Sequence, residues 1–260
     1  MATVSESQAI AAPLDHKRNI QIAKALHLAL MLKTERRGEE RPWPCVSDGN
    51  LPRILYRGSG PDVASSVSMP SPDPELVEGI FLTRNPDVAR AYAYYNTYNV
   101  KTGKLNEQPT FYEVERKLGL DILDAREIYV LESLVYKQDG FLDYLRRVEL
   151  CRYITELRVA SGQITCTSDN AIRMLEAAHE SGIPVNHVLK HFVLGIELLL
   201  TSFLYGKGYD GIIVADGNNP KKIVPLPLAL EEKLPDKSDE VVVFNPINIK
   251  LLRTEMIAPC

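Results

Sequence analysis

Near the N-terminus, apolar residues recur at helical spacing: Ile20, Ile22, Ala23, Leu26, Leu28, Ala29, Leu30 and Leu32. The pattern predicts one helix over 17–37 with a broad apolar face. Pro42 and Pro44 stop it, and residues 1–16 read as a loose leader. The pattern then shortens. Residues 53–58 and 79–83 read as strands, separated by a Ser-, Pro- and Asp-rich loop. Asn85-Pro86-Asp87 supplies a capping residue, a proline at the first helical position and an acid in the first turn. A helix should follow through Val88, Ala91, Tyr92 and Tyr95. Two further strands are expected at 110–115 and 120–123. Helical patterning dominates 125–205, with helices at 141–158, 168–181 and 185–204. Residues 209–215 and 240–244 return to strand character, and Ile247, Ile249 and Leu251 alternate. Strands at both ends enclosing helices predict an α+β architecture, a mixed β core with a large helical insertion.

Composition narrows the function classes. The chain has 260 residues, a net charge of −4 and a pI near 5.8. No basic excess points to nucleic acid or an anionic membrane surface, so neither is expected as a partner. No apolar run is long enough for a transmembrane helix, and no signal-peptide pattern opens the chain. Ala2 excludes myristoylation, and Cys260 is misplaced for prenylation. Cys45, Cys151, Cys166 and Cys260 are scattered, as expected of free thiols in a reducing, cytoplasmic setting. Delivery into another cell without a cleavable signal peptide is compatible with this.

Three motifs are set aside. Gly206-Lys207-Gly208-Tyr209-Asp210-Gly211 matches G-x-G-x-x-G. A helix precedes it and a strand follows, the reverse of a dinucleotide-binding turn, so it reads as a helix C-cap. His187 and His191 share a helical face, but no Glu completes H-E-x-x-H, and His179 and Cys166, which could be drafted as further ligands, lack a metal-site spacing. Tyr92, Tyr94, Tyr95 and Tyr98 could stack bases, yet such clusters more often pack a core.

Three separated pieces carry chemistry. Arg57 ends the first strand beside Tyr56 and Gly58, Thr83 ends the second, and Glu240 opens the last clear strand. Each alone has a bland reading, respectively a surface ion pair, a helix cap and a solvated gatekeeper.

In this order they resemble the Arg-Ser-Glu kind of ADP-ribosyltransferase. The likeness lies in Leu55-Tyr56-Arg57-Gly58, in the segment from Gly79 to Ala93, and in Gly208 to Val214 followed by Glu240 to Pro246 with Ile249-Lys250. It covers residues 50–95 and 205–252, and it is closest to bacterial effector, toxin and phage-borne members. Of the family's Ser-Thr-Ser triplet, Leu82-Thr83-Arg84 keeps the central hydroxyl. Ser238 stands where arginine-modifying members carry Glu, which argues against arginine as acceptor.

The resemblance implies NAD as substrate, a protein target in a host cell, and no metal. Breaking the ribose–nicotinamide bond develops positive charge on the sugar, which a carboxylate such as Glu240 would stabilise. Arg57 would hold the phosphates with its planar fork, Thr83 would position ribose or Glu240, and Tyr92 would stack on nicotinamide. Tyr56 and Gly58 would complete the cofactor-binding set. Residues 46–257 would form one domain, with the helical insertion at 125–205 shaping target recognition. Rival readings are an inactive binding module, an NAD glycohydrolase and an RNA-directed transferase on the same fold.

Overall fold

The computed structural model describes residues 18, 21, 22, 25, 26, 41–59, 80–160, 166–192, 197–216 and 224–258. Of the helix expected at 17–37, the five described residues are helical; the rest of it lies outside the described residues.

Seven strands form one mixed sheet. They are β1 (Ile54–Ser59), β2 (Ile80–Thr83), β5 (Thr110–Arg116), β6 (Ile122–Asp124), β7 (Gly211–Asp216), β8 (Ser238–Val243) and β9 (Ile249–Met256). Their spatial order is β6-β7-β8-β2-β1-β5-β9. Only β6 and β7 pair in parallel; the remaining neighbours are antiparallel. Two two-residue strands, β3 (Tyr98–Asn99) and β4 (Lys104–Leu105), form a separate hairpin that the hydrophobic pattern does not announce. The α+β expectation therefore holds at the level of class.

Helix α1 (Pro86–Thr97) starts as its sequence predicts. The Asn85 side chain accepts the backbone N–H of Asp87 at 2.8 Å and of Val88 at 3.3 Å, two donors that a helix start leaves open. The helical region contains α2 (Ile128–Tyr136), α3 (Phe141–Arg147), α4 (Glu149–Ala160), α5 (Ser168–Glu180), α6 (Val185–Phe192) and α7 (Glu197–Gly206), and α8 (Leu228–Glu231) follows β7. The single helix expected at 141–158 is two, because Val148 takes extended backbone angles and breaks the ladder.

Strand alternation divides the core between two faces. On one face Leu55, Leu82, Val114, Ile213, Val241 and Val243 pack with Val46 and Leu51. On the other, Leu123, Ile212, Val242 and Phe244 pack against the helices through Leu134, Phe141, Leu199, Phe203 and Leu204. Helix α1 lies on that second face over β1. It comes so close that a Cβ on Gly58 would sit 1.7 Å from the Ala89 carbonyl oxygen and 2.4 Å from the Ala93 nitrogen. Asn96 then donates to the Gly58 carbonyl at 2.9 Å.

The packed body begins before residue 46. Trp43 is buried in the larger core, and its backbone N–H and carbonyl both bond the Tyr209 hydroxyl, at 3.0 and 2.8 Å. Burial pushes the Tyr209 phenol up to about 12. After α7 the chain turns on Gly208 at φ +89, with Tyr209 N–H bonding the Leu204 carbonyl, so the glycine-rich run is a helix C-cap and turn.

Candidate active site

The sheet gathers the three separated pieces onto neighbouring strands, β8, β2 and β1. Thr83 pairs with Glu240 across β2–β8, and Thr83 also pairs with Tyr56 across β1–β2. Register-matched residues leave the sheet on the same side. Tyr56, Thr83 and Glu240 therefore form one row, on the face that carries α1. Glu240 is half-buried and Thr83 is buried. The Thr83 hydroxyl accepts the Asn85 backbone N–H at 3.3 Å, tying the row to the start of α1. Tyr56 stacks on Phe111 with ring centroids 5.6 Å apart.

Arg57 is not in that row. It follows Tyr56 along an unbroken strand, paired with Tyr112 in β5, so its side chain leaves on the opposite face. There burial lowers the guanidinium's pKa, and Tyr112 beside it acts in the other direction.

Gly58 faces α1 at van der Waals contact or closer, which leaves a ligand no room on that side. Tyr92 packs with the small cluster of Val88, Ala91, Tyr94, Leu230 and Leu234, with its ring edge-on to Tyr95 at 6.1 Å. Tyr94 is buried and donates its hydroxyl to the Ala258 carbonyl at 2.6 Å. The tyrosine cluster thus contributes to packing.

A cleft of about 500 Å³ reaches this row at Thr83, with neither Tyr56 nor Glu240 in its lining. Thr83, Arg84, Asn85, Pro86 and Asp87 line one side, and Pro235, Lys237, Ser238 and Asp239 line the other. Leu230 and Leu234, docked on Val88 and Ala91, hold the second side against α1. A volume in this range suits a small organic ligand.

Charged groups are organised around Asp239, whose side chain is 17% exposed. Arg84 makes an ion pair with it, and Arg126 reaches it at 3.5 Å. Arg126 forks onto Asp124 through Nε at 2.8 Å and Nη2 at 2.6 Å, holding that carboxyl below the usual carboxylate range. Asp87 is tied to Arg90 at 3.1 Å. The motif pattern gives no role to Arg84, Arg126 or Lys237, and it sets Asp239 aside because that side chain faces away from Glu240. Arg84 was visible as a departure from the triplet; its pairing with Asp239 spans 155 positions and has no local signature.

Among the described residues no group of three or more His, Cys, Asp or Glu side chains could hold a metal ion. No described helix is long and apolar enough to cross a membrane. No family model, curated protein or solved structure matches the chain.

Proposed function

We propose that the protein transfers ADP-ribose from NAD to a protein side chain, releasing nicotinamide. One observation carries this reading. Two segments more than 150 positions apart meet in register, setting Glu240 opposite Thr83, and Thr83 lines an open cleft.

In the reaction the bond from the ribose anomeric carbon to the nicotinamide nitrogen breaks, and nicotinamide leaves with the electron pair. A nucleophile on the acceptor forms the new bond and gives up its proton. The sugar is cation-like at the transition state, so a carboxylate aimed at it lowers the barrier. Glu240 is that group. Thr83 lies opposite it and fixes where a ribose hydroxyl or the carboxylate rests. Ser238 follows Glu240's side of the strand at the cleft rim, where the acceptor would approach.

The test is nicotinamide release from NAD by the full chain, wild type against Glu240→Ala, with and without a crude cell lysate. Release that depends on Glu240, with label passing to a lysate protein, supports the transferase. Release to water alone makes the protein a glycohydrolase. Absence of release under every condition overturns the reading and leaves a binding module.

A further inference from the structure

We infer that the cleft beside α1 is a phosphate subsite served by Arg84 and Lys237, with Asp239 as an internal counter-ion that the ligand displaces. The identification of the phosphates with those of NAD rests on the transferase reading.

The argument starts from what the cleft's groups are already doing. The N-terminus of α1 is spoken for: Asn85 takes the N–H groups of Asp87 and Val88, Pro86 has none, and the Ala89 N–H bonds the Asn85 carbonyl. Backbone donors there are not offered to a ligand. The Asp87 carboxylate is neutralised by Arg90. Asp239 faces two guanidinium groups, Arg84 and Arg126, and shares Arg126 with Asp124, which Arg126 holds in a bidentate grip.

Arg84 is therefore the partner that Asp239 can release. If it does, Asp239 still has Arg126 at 3.5 Å, shared with Asp124. Arg84's planar fork matches a phosphate bidentately. Lys237 is exposed and lies across the cleft as a second cation. The hydroxyls of Thr83 and Ser238 line the same space. The two carboxylates in the wall repel an anion only to the extent that their own cations leave them.

The placement also answers a geometric problem. Glu240 and Thr83 lie on one face of the sheet, and Arg57 leaves on the other. Neither Arg57 nor Glu240 lines the cleft, whereas Thr83, Arg84 and Lys237 do; Asp239 leaves β8 on Arg57's face, so the cleft opens at the strand ends rather than on Glu240's face alone. Arg84 and Lys237 stand next to Thr83 in sequence and three residues before Glu240, within one dinucleotide's span of the row. The cations that serve the phosphates of this chain are then on the second motif and on the approach to the last strand, not on the first strand.

The experiment is calorimetric titration of the full chain with inorganic pyrophosphate and with ADP-ribose. Wild type, Arg84→Gln, Lys237→Gln and the distant control Arg146→Gln are compared. Both cleft variants should weaken both probes by about tenfold each, the loss expected when a charge-assisted contact is removed. Arg146→Gln should match wild type. Arg84→Gln unlatches Asp239, so its melting curve is recorded; Lys237→Gln removes only an exposed charge and keeps the test open if Arg84→Gln unfolds. Equal affinity of Lys237→Gln and wild type for both probes, or no binding of either probe by wild type, overturns the subsite. Cation-dependent pyrophosphate binding without nicotinamide release from NAD keeps the subsite and removes the transferase. Nicotinamide release with an unchanged KM for NAD in both cleft variants does the reverse.

Discussion

Thr83 and Glu240 face each other directly across β2 and β8, and the Thr83 hydroxyl also receives the Asn85 N–H that begins α1. One side chain thus serves the helix start and stands opposite the candidate carboxylate. Thr83→Ser keeps both functions. Thr83→Val keeps the shape and loses the acceptor. We expect Thr83→Ser to retain nicotinamide release within a few-fold. Thr83→Val should lose about 1 kcal/mol of stability, as for a lost helix-start acceptor, and release should fall by at least tenfold. Thermal melts and steady-state rates on the two variants check this. Equal rates for Ser and Val would leave the hydroxyl with a packing role alone.

Gly58 is the contact point of α1 with β1. Gly58→Ala places a methyl inside the van der Waals shell of the Ala89 carbonyl, which is backbone and cannot rotate away. The helix must shift, and its first turn is one wall of the cleft. The expected cost is at the upper end of about 1–3 kcal/mol, with ligand affinity falling in step. A melt that matches wild type would show that α1 sits further from β1 than described.

Arg116 is buried, yet all five of its N–H donors are satisfied. Nε bonds the Pro52 carbonyl, Nη1 bonds the Asp48 carboxylate and the Lys117 carbonyl, and Nη2 bonds the Asp48 and Leu51 carbonyls. The residue ties the 48–53 segment to β5. Arg116→Lys leaves several acceptors unpaired and should lower the melting temperature by roughly 10 °C, the equivalent of about 3–5 kcal/mol. Calorimetry decides it, and a drop of only a degree or two would overturn the assignment.

Asp48 gives that anchor a pH dependence. Its carboxylate accepts Arg116 Nη1 and the Gly119 N–H, both at 2.7 Å, and these bonds hold it below the usual carboxylate range. A depressed folded pKa means the stabilisation is present above the unfolded value, near about 4, and is lost as pH falls through the lower folded value. Wild type should therefore be more stable than Asp48→Asn at pH 7, and the gap should close in more acid solution. Melting both between pH 7 and pH 2.5 checks it; a gap independent of pH would refute the carboxylate's part.

Arg57 carries the sharpest difference between sequence and structure. Read along the chain, it is the phosphate ligand. In the fold it leaves the sheet away from Glu240, in surroundings that disfavour its charge. Arg57→Met removes a desolvated cation and keeps much of the volume. Its melting temperature should equal or exceed that of wild type, because Arg57 is half-buried and partly desolvated, and replacing such a charge with an apolar side chain is often neutral or stabilising. Its KM for NAD should also change less than that of Lys237→Gln. A large loss of NAD affinity in Arg57→Met alone would return the phosphate role to the first strand.

The local elements were legible in the chain because their causes are local. Asn85-Pro86-Asp87 begins a helix wherever it sits, since the cap, the fixed proline angle and the first-turn acid act within a few residues. The strands at 54–59, 80–83 and 211–216 follow from alternating or β-forming residues bounded by turn signals. Glycine at 206–211 after a helix reads as a C-cap for the same reason. Two limits also have clear causes. The break at Val148 falls inside a periodic pattern that gives no stop signal, and Trp43 enters the core through Tyr209, a partner 166 positions away.

The residues of the candidate site could be nominated from the sequence, but only the tertiary structure decided which of them share a face. Alternation tells that Tyr56 and Arg57 point oppositely; it does not tell which of them points with Thr83 and Glu240. That depends on the register of β1, β2 and β8, which is set by packing two apolar faces at once across long separations in the chain. The Arg84–Asp239–Arg126 cluster has the same origin, since electrostatic partners meet only after the sheet has brought their strands together.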